Sequence, residues 1–399
     1  MIYRQFQDIK LSGLGLGMMR LPVIDGDDTK VDEAASAEMI DYAYKNGINY
    51  FDTAWGYHNG NSELTAGKFL SKYPRESYYL ATKFPGYDNS NMPKVKEIFE
   101  EQLKKCRTEY FDFYLFHNVY EGNIDDYLNP KFGIFDYLME QKKNGRIRHL
   151  GFSAHGSVEV IKRFLAAYGE HMEFCQLQLN YMDWHFQEAD AKYNLMKEHG
   201  IPVWIMEPLR GGKLAAASEM KEKALKEMRP DETIPAWAFR FLQSLPEVTM
   251  VLSGMSNMEQ LKANIETYAE AKPLSKTEFD KLIEIADEET KHDFEIQLPD
   301  VGEFPKETLL GFEKEVLGVY ISGHPLEEYE EKWRKNISAT TNDFIWDEET
   351  GKTKVSDNEK VIVGGMITDK TIKYTKNNKT MAFLTLEDLL GTVEVIVFP

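Results

Sequence analysis

Residues 111–117 read Phe111-Asp112-Phe113-Tyr114-Leu115-Phe116-His117, an almost continuous apolar run that ends on an ionisable side chain. A short run of this kind is typical of a parallel strand that is buried on both faces. Similar runs recur along the chain: Leu14-Gly17, Tyr50-Ala54, Tyr78-Lys83, Ile147-Ser153, Phe174-Asn180, Pro202-Met206 and Val248-Ser253. The sequence therefore predicts eight strands of one parallel sheet.

The stretches between these runs favour helices, because their apolar residues recur at helical spacing. Clear examples are Ala35–Tyr44, Val95–Leu103, Val158–Phe164 and Ala189–Met196. Eight strand–helix units in about 250 residues fit a closed (β/α)8 barrel, or TIM barrel, better than an open sheet. An open dinucleotide-binding sheet usually carries a glycine-rich loop directly after its first strand. Here Gly13-Leu14-Gly15-Leu16-Gly17 precedes two methionines, so we interpret these glycines as the flexible start of a strand.

Composition excludes several classes of protein. Of the 399 residues, 42% are hydrophobic and 28% charged, the balance of a globular protein. The formal charge of −19 (47 basic minus 66 acidic residues) argues against a whole-surface binder of nucleic acid or anionic membrane. Two cysteines, Cys106 and Cys175, are too few for a disulfide framework or a cysteine-ligated iron–sulfur cluster. No signal peptide or membrane span is evident, so we expect a cytoplasmic protein.

The chain changes character after residue 288. A predicted helix, Lys276–Glu289, leads into the Pro- and Gly-containing stretch Leu298–Pro305, and Lys306–Tyr320 again looks helical. Alternating apolar positions then predict antiparallel strands, with a hairpin turn at Lys376–Lys379: Val361, Val363; Met381, Phe383, Thr385; Val393, Val395, Val397. We therefore expect the barrel over 1–288, a linker over 289–305, a helical and irregular connector over 306–358 and a small β segment over 359–399.

Polar side chains follow three neighbouring strands of the predicted barrel. The second strand leads to Asp52 and Tyr57, the third ends on Lys83 and the fourth on His117. Because active sites of such barrels lie at the carboxyl ends of the strands, we expect these side chains to meet. A lysine cation lowers the pKa of a tyrosine from about 10, and an aspartate holds the lysine charged. Such a set can protonate a carbonyl oxygen while a cofactor delivers hydride to its carbon.

Each of these residues also has a structural interpretation. A strand-end aspartate often caps the next helix, and a lone lysine or histidine at a rim is more often solvated than catalytic. The combination on successive strands is more specific: Asp52-Thr53-Ala54 with Tyr57, Lys83 before Phe84-Pro85, and His117 resemble the catalytic tetrad of the aldo-keto reductases. The resemblance covers about residues 1–288. It implies that Tyr57 is the general acid and base, that Lys83 and Asp52 tune it, and that His117 positions the carbonyl.

The same resemblance implies a nicotinamide cofactor, NADP or NAD, and favours NADP slightly. Many members carry lysine and arginine for the 2′-phosphate at the positions of Gly254 and Gln260, so NAD stays open; Arg210 could compensate. Details resemble a subgroup with an iron–sulfur module, but no cysteine follows Cys175, so we expect neither a cluster nor another metal site. The implied cofactor-binding residues are Gly17, Met18, Ser153, Gln176, Met206, Leu209, Gly211, Gly254, Ser256, Gln260 and Asn264.

The C-terminal region has a different resemblance. Leu317–Leu326, Val361–Ile367 and Met381–Asp388 resemble the bacterial DNA polymerase III alpha subunit, over about residues 290–399. In that family the second stretch opens an OB-fold that binds single-stranded DNA. An OB-fold needs five strands, and about three fit here, so we expect an incomplete one. The junction fits both a natural rearrangement and a sequence-assembly artefact.

Three functional hypotheses follow. The first is NAD(P)H-dependent reduction of an aldehyde or ketone, a small-molecule carbonyl substrate. The second is a replication accessory that binds single-stranded DNA through a basic stripe of Lys370, Lys373, Lys376 and Lys379 near Tyr374. The third is a nicotinamide-binding scaffold without turnover. Aromatic residues expected around the mouth favour an apolar or aromatic carbonyl compound: Trp55, Phe84, Tyr87, Tyr120 and Trp184.

Overall fold

The structure is a computed structural model that describes residues 1–292, 302, 304–348 and 350–399. The chain divides into two units, Met1–Ile296 and Gln297–Pro399. The boundaries at 288, 305 and 358 stay predictions, and most of the predicted linker lies outside the described residues.

Strands of the first unit occupy the apolar runs of the sequence. They are β1 (Tyr3–Phe6), β2 (Ile9–Ser12), β3 (Leu14–Gly17), β4 (Tyr50–Asp52), β5 (Tyr79–Phe84), β6 (Phe111–Val119), β7 (Ile147–Ala154), β8 (Cys175–Gln178), β9 (Val203–Met206) and β10 (Val248–Ser253). Strands β3 to β10 pair in chain order, and β10 pairs with β3 to close the barrel. The pairs are parallel, so the predicted TIM barrel is confirmed.

Helices connect the strands as their apolar spacing predicts. They are α1 (Glu33–Lys45), α2 (Asn61–Leu70), α3 (Val95–Lys105), α4 (Ile124–Tyr127), α5 (Ile134–Lys143), α6 (Val158–Tyr168), α7 (Asp183–Phe186), α8 (Ala189–Glu198), α9 (Glu219–Met228), α10 (Ile234–Gln243), α11 (Met258–Thr267) and α12 (Lys276–His292). The side chain of Asp32 caps the start of α1 by accepting a hydrogen bond from the backbone N–H of Ala35. The side chain of Asn257 caps α11 in the same way, with Gln260 as the donor.

The hairpin of β1 and β2 is a feature that the sequence analysis missed. Its Phe6 and Leu11 belong to the buried cluster that includes Phe113 and Trp204 inside the barrel. The ring of Phe6 lies 5.0 Å from that of Trp204, edge to face. Because Trp204 lies near the start of β9, the hairpin covers the amino-terminal end of the barrel, and the predicted site lies at the opposite end.

The second unit contains an antiparallel three-stranded sheet in the order β11–β12–β13. Its elements are α13 (Lys306–Leu317), α14 (Glu330–Asn336), β11 (Met366–Tyr374), β12 (Thr380–Glu387) and β13 (Thr392–Val397). The predicted strand at Val361 and Val363 was wrong. The first strand starts at Met366, and Ile362 instead accepts hydrogen bonds from the backbones of Ser338 and Ala339. The predicted hairpin turn is present, with Asn378 in the left-handed region.

The lysines of the predicted basic stripe do not share one face of β11. Side chains alternate along a strand, so Lys370 and Tyr374 lie on one face and Lys373 on the other. Lys373 lies over the ring of Phe383 at 4.8 Å. A phosphate backbone following one face would therefore not meet all of these cations.

The described residues lack two kinds of feature. None of their helices is both long and apolar enough to cross a bilayer. They contain no group of three or more His, Cys, Asp or Glu side chains arranged to hold a metal ion. Cys106 and Cys175 are buried free thiols.

Candidate active site

A buried ion pair lies at the carboxyl end of β4 and β5. The Nζ of Lys83 donates to Oδ1 of Asp52 at 2.7 Å and to the carbonyl of Thr53 at 2.8 Å. The two side chains are only 1% and 4% exposed. Burial alone lowers the pKa of Lys83, but the Asp52 carboxylate and the hydrogen bonds to Asp52 and Tyr57 outweigh it and raise that pKa above its usual value. The lysine therefore carries its charge at neutral pH.

The hydroxyl of Tyr57 lies beside this ion pair. Lys83 Nζ is 3.4 Å from it, and the same ammonium is 4.9 Å from the centre of the tyrosine ring. The sequence analysis predicted that Lys83 would lower the pKa of Tyr57. Lys83 does act in that direction, but burial of the phenol outweighs it, so the pKa of Tyr57 lies above 10. Tyr57 thus holds its proton at neutral pH.

His117, near the end of β6, faces the tyrosine. Its ring centre is 6.0 Å from that of Tyr57 and 5.2 Å from that of Tyr87, and both contacts are edge to face. Burial, with help from the charge of Lys83, holds the pKa of His117 well below 6.5. Its buried Nδ1 has no hydrogen-bond partner within the described part of the chain. The structure therefore brings all four predicted residues together, with the imidazole uncharged.

The backbone is strained directly after several of these residues. His58 and Asn118 follow Tyr57 and His117 and have φ of 51° and 57°, and Glu207 after β9 has φ of 54°. Non-glycine residues seldom adopt this left-handed region, and such strain concentrates at functional sites. The His58 ring is held in place, since its Nε2 accepts a hydrogen bond from the backbone of Leu21.

A cavity of about 470 Å³ opens beside the ends of β3, β9 and β10. Six of the predicted cofactor residues line it: Leu209, Gly211, Gly254, Ser256, Gln260 and Asn264. A second cavity reaches Tyr57 and shares Arg20 and Ser256 with the first. A Cβ on Gly17 would lie 3.3 Å from the carbonyl oxygen of Ser253, so a side chain there would crowd the boundary between β3 and β10. These residues fit an elongated ligand that ends near Tyr57.

The remaining predicted residues lie nearby but do not line that cavity. Ser153, near the end of β7, is the register partner of Gln176 in β8, and Ser153 Oγ accepts a hydrogen bond from the backbone of Asn118 at 2.7 Å. Met206 ends β9 and is half-buried. The side chain of Met18 is fully buried in the core. Met18 directly follows the last residue of β3, so its backbone still lies at the carboxyl end of that strand.

Three charged residues that line the cavity, Arg20, Glu207 and Glu259, were not among the predicted site residues. Arg20 and Glu207 both line it, and they form an ion pair at 3.1 Å. Arg210, which the sequence analysis considered as a phosphate ligand, instead pairs with Asp183 at 3.2 Å. The left-handed backbone at Glu207 has no signature in a single sequence, because glutamate does not favour it.

The barrel and the buried cluster of ionisable side chains at the carboxyl ends of its strands define the class of protein, a TIM-barrel enzyme. Residues 13–287 match the Aldo/keto reductase family. An uncharacterized oxidoreductase of Bacillus subtilis is 28% identical over 69% of this chain and 92% of its own length. An NADH-specific methylglyoxal reductase of Escherichia coli is 27% identical over 65% of this chain and 90% of its own length. The chain belongs to the aldo/keto reductase family and is an oxidoreductase.

A solved structure supports the same assignment. The holo form of an aldo-keto reductase from Bacillus halodurans is 28% identical to this chain, with a TM-score of 0.59. The likeness covers 72% of this chain and 96% of that protein.

The C-terminal region matches a different protein. It is 39% identical over 90 residues to DNA polymerase III subunit alpha of Aquifex aeolicus. This match covers 23% of the chain but 7% of the polymerase, so the predicted resemblance is confirmed for a small part of that protein.

Proposed function

We propose that this chain reduces a small aldehyde or ketone with hydride from a nicotinamide cofactor, and catalyses the reverse oxidation, with Tyr57 as general acid and base. The observation that carries the proposal is the Lys83 ammonium, which lies at hydrogen-bonding distance from both Asp52 and the Tyr57 hydroxyl. When bound, the nicotinamide supplies or accepts the hydride.

The residues divide the proton chemistry between them. The Tyr57 hydroxyl donates its proton to the carbonyl oxygen, and the Lys83 cation stabilises the phenolate that remains. Asp52 holds Lys83 in place from the other side. His117 is uncharged, so it orients the carbonyl oxygen as a neutral hydrogen-bond donor. The half-buried aromatic rings of Trp55 and Tyr87 favour an apolar or aromatic substrate.

Replacement of Tyr57 tests the proposal. Tyr57→Phe removes the acidic proton but keeps the ring, so carbonyl reduction is expected to fall by about 100-fold or more. Binding of the cofactor, followed by fluorescence titration, is expected to stay unchanged. A variant that keeps wild-type turnover would refute the role of Tyr57, and a wild type that binds cofactor without reducing any aldehyde or ketone would favour the scaffold hypothesis.

The cavity also supports a choice of cofactor. Two backbone donors at the start of α11 are occupied: Ser256 N–H, just before the helix, donates to Gln260 Oε1 at 2.8 Å, and Gln260 N–H donates to Asn257 Oδ1 at 2.9 Å. Glu259 adds a carboxylate to the lining, and Arg20 is paired with Glu207. A dianionic 2′-phosphate is therefore disfavoured, and NADH should bind more tightly than NADPH. The NADH-specific relative in E. coli agrees with this proposal.

By family resemblance, the predicted residues would hold distinct parts of the cofactor. Ser153 and Gln176 would hold the nicotinamide amide, Met206 would pack against its ring, and the Leu209–Gly212 loop would hold the pyrophosphate. Parallel fluorescence titrations with NADH and NADPH test the preference. Tighter binding of NADPH would overturn it.

A further inference from the structure

A second ion pair is buried between helices α2 and α3, on the outer side of β5. The Oε2 of Glu63 accepts a hydrogen bond from Lys105 Nζ at 2.6 Å. Glu63 is completely buried, and the lysine side chain is 12% exposed. We refer to Glu63 and Lys105 as the outer pair. Desolvating two charges is costly, so a pair in this position needs further hydrogen bonds to be tolerated.

Those further hydrogen bonds connect the outer pair to Lys83. Glu63 Oε1 accepts from Thr82 Oγ1 at 2.6 Å and from Gln102 Nε2 at 2.8 Å. The same Gln102 nitrogen donates to the backbone carbonyl of Lys83 at 2.9 Å. Successive side chains of a strand point to opposite faces, so Thr82 points toward the helices while Lys83 points into the barrel. The outer pair thus holds the backbone from which the Lys83 side chain projects.

The outer pair also contacts the loop that carries Tyr57. Lys105 Nζ lies 4.6 Å from the ring centre of Trp55, which stands between Asp52 and Tyr57 in the chain. A cation over a tryptophan face is attracted to it. The outer pair and its hydrogen-bond partners therefore hold both the strand that carries Lys83 and the loop that carries Tyr57.

We propose that the outer pair, acting through Gln102, is a positioning device that sets the distance between Lys83 and Tyr57 and so the pH range in which the site works. This inference rests on the proposed function of Tyr57. It makes Glu63, Gln102 and Lys105 positioning residues, because none of them touches the reacting atoms.

The Lys83–Tyr57 separation is the sensitive quantity. At 3.4 Å their contact is long for a hydrogen bond, so a small further displacement removes most of it. Lys83 lowers the pKa of Tyr57, whereas Asp52 and Glu207 raise it. His117 and Tyr87 also border the site and are uncharged at neutral pH. Retreat of Lys83 would leave the acidic groups unopposed and shift the titration of Tyr57 to higher pH.

Gln102→Met is the primary test, because it keeps both charges of the outer pair and removes the amide that joins them to Lys83. It also removes the acceptor of the buried Tyr114 hydroxyl, so thermal stability is measured alongside the pH profile. We expect kcat for alcohol oxidation to fall about 3- to 10-fold. The pH at which kcat rises to half its maximum should increase by about 0.5–1 pH unit. The Kd for NADH, measured by fluorescence, should stay unchanged. Glu63→Gln should act in the same direction.

A matched control is available on the surface. Glu33→Gln removes the exposed ion pair between Glu33 and Lys68, whose charged atoms are also 2.6 Å apart. Lys68 lies on α2, the helix that carries Glu63, and this variant should leave the pH profile of kcat unchanged. Loss of thermal stability in Gln102→Met without a shift in the pH profile would make the outer pair merely structural and overturn the proposal.

Crystal structures of the wild type and Gln102→Met give a readout that does not depend on turnover. The proposal predicts a longer distance from Lys83 Nζ to Tyr57 OH in the variant. An unchanged distance would overturn it. If the wild type reduces no carbonyl compound, the proposed function fails, and the crystallographic distance still decides whether the outer pair positions Lys83.

Discussion

Replacement of Lys83 by methionine removes a buried cation while keeping a side chain of similar length. Lys83 Nζ donates to Oδ1 of Asp52 at 2.7 Å, and Oδ2 of Asp52 already lacks a partner among the described residues. The variant would therefore leave a desolvated carboxyl without its counter-ion. Breaking a buried pair from one side costs about 3–5 kcal/mol, and we expect the free energy of unfolding of the barrel to fall by this amount at pH 8.

The loss should depend on pH in a defined direction. Burial raises the pKa of Asp52 in the wild type, and Lys83 opposes that shift. Without Lys83 the folded pKa rises further, so the folded state binds a proton that the unfolded state has released. Stability then falls as the pH rises from the unfolded pKa, about 4, toward the folded pKa. The difference between Lys83→Met and wild type should therefore be smaller at pH 5 than at pH 8.

Urea denaturation followed by tryptophan fluorescence measures this difference, because Trp204 and Trp237 are fully buried in the barrel. The matched control is Lys68→Met, which breaks the exposed pair with Glu33 and should cost less than about 1 kcal/mol. The double variant Asp52→Leu/Lys83→Met should recover most of the loss. Equal stability of Lys83→Met and Lys68→Met at pH 8 would refute the reasoning.

Three further predictions concern the site and its cofactor cavity. His117 is buried and neutral, so the pH profile of kcat should show no histidine titration between about pH 6 and 8; loss of such a titration in His117→Gln would contradict this. Gln260→Arg should tighten NADPH binding about tenfold without weakening NADH, as measured by fluorescence titration, because it adds a charged donor beside Ser256. Gly56→Ala should reduce turnover, since a Cβ there would lie 2.3 Å from the hydroxyl of Tyr87, which must move; a fully active variant would show that Tyr87 has no role.

The local pattern of the sequence was sufficient for the barrel. Parallel strands buried on both faces require continuous apolar runs, and the predicted runs correspond closely to β3–β10. The parallel strands of a barrel all end at one rim, so polar residues at the ends of these runs are expected to lie close together there. Asp52, Lys83 and His117 do lie close together at that rim. The antiparallel sheet was also predicted, although Val361 and Val363 alternate without forming a strand.

Contacts between residues distant in sequence decided the rest. The hairpin β1–β2 is recognisable only once Phe6 is seen against Trp204 inside the barrel. The direction in which the pKa of Tyr57 shifts depends on how deeply the phenol is buried, and the spacing of residues along the sequence does not reveal that depth.

The outer pair shows the same division between sequence and tertiary structure. Glu63 follows Tyr57 closely in the sequence, but its partners Gln102 and Lys105 lie about forty residues away on another helix. The sequence by itself determined which residues reach the rim, since strand ends fix that locally. Only the tertiary structure decided their charges and distances, because desolvation and the positions of neighbouring charges depend on how the helices pack around the barrel.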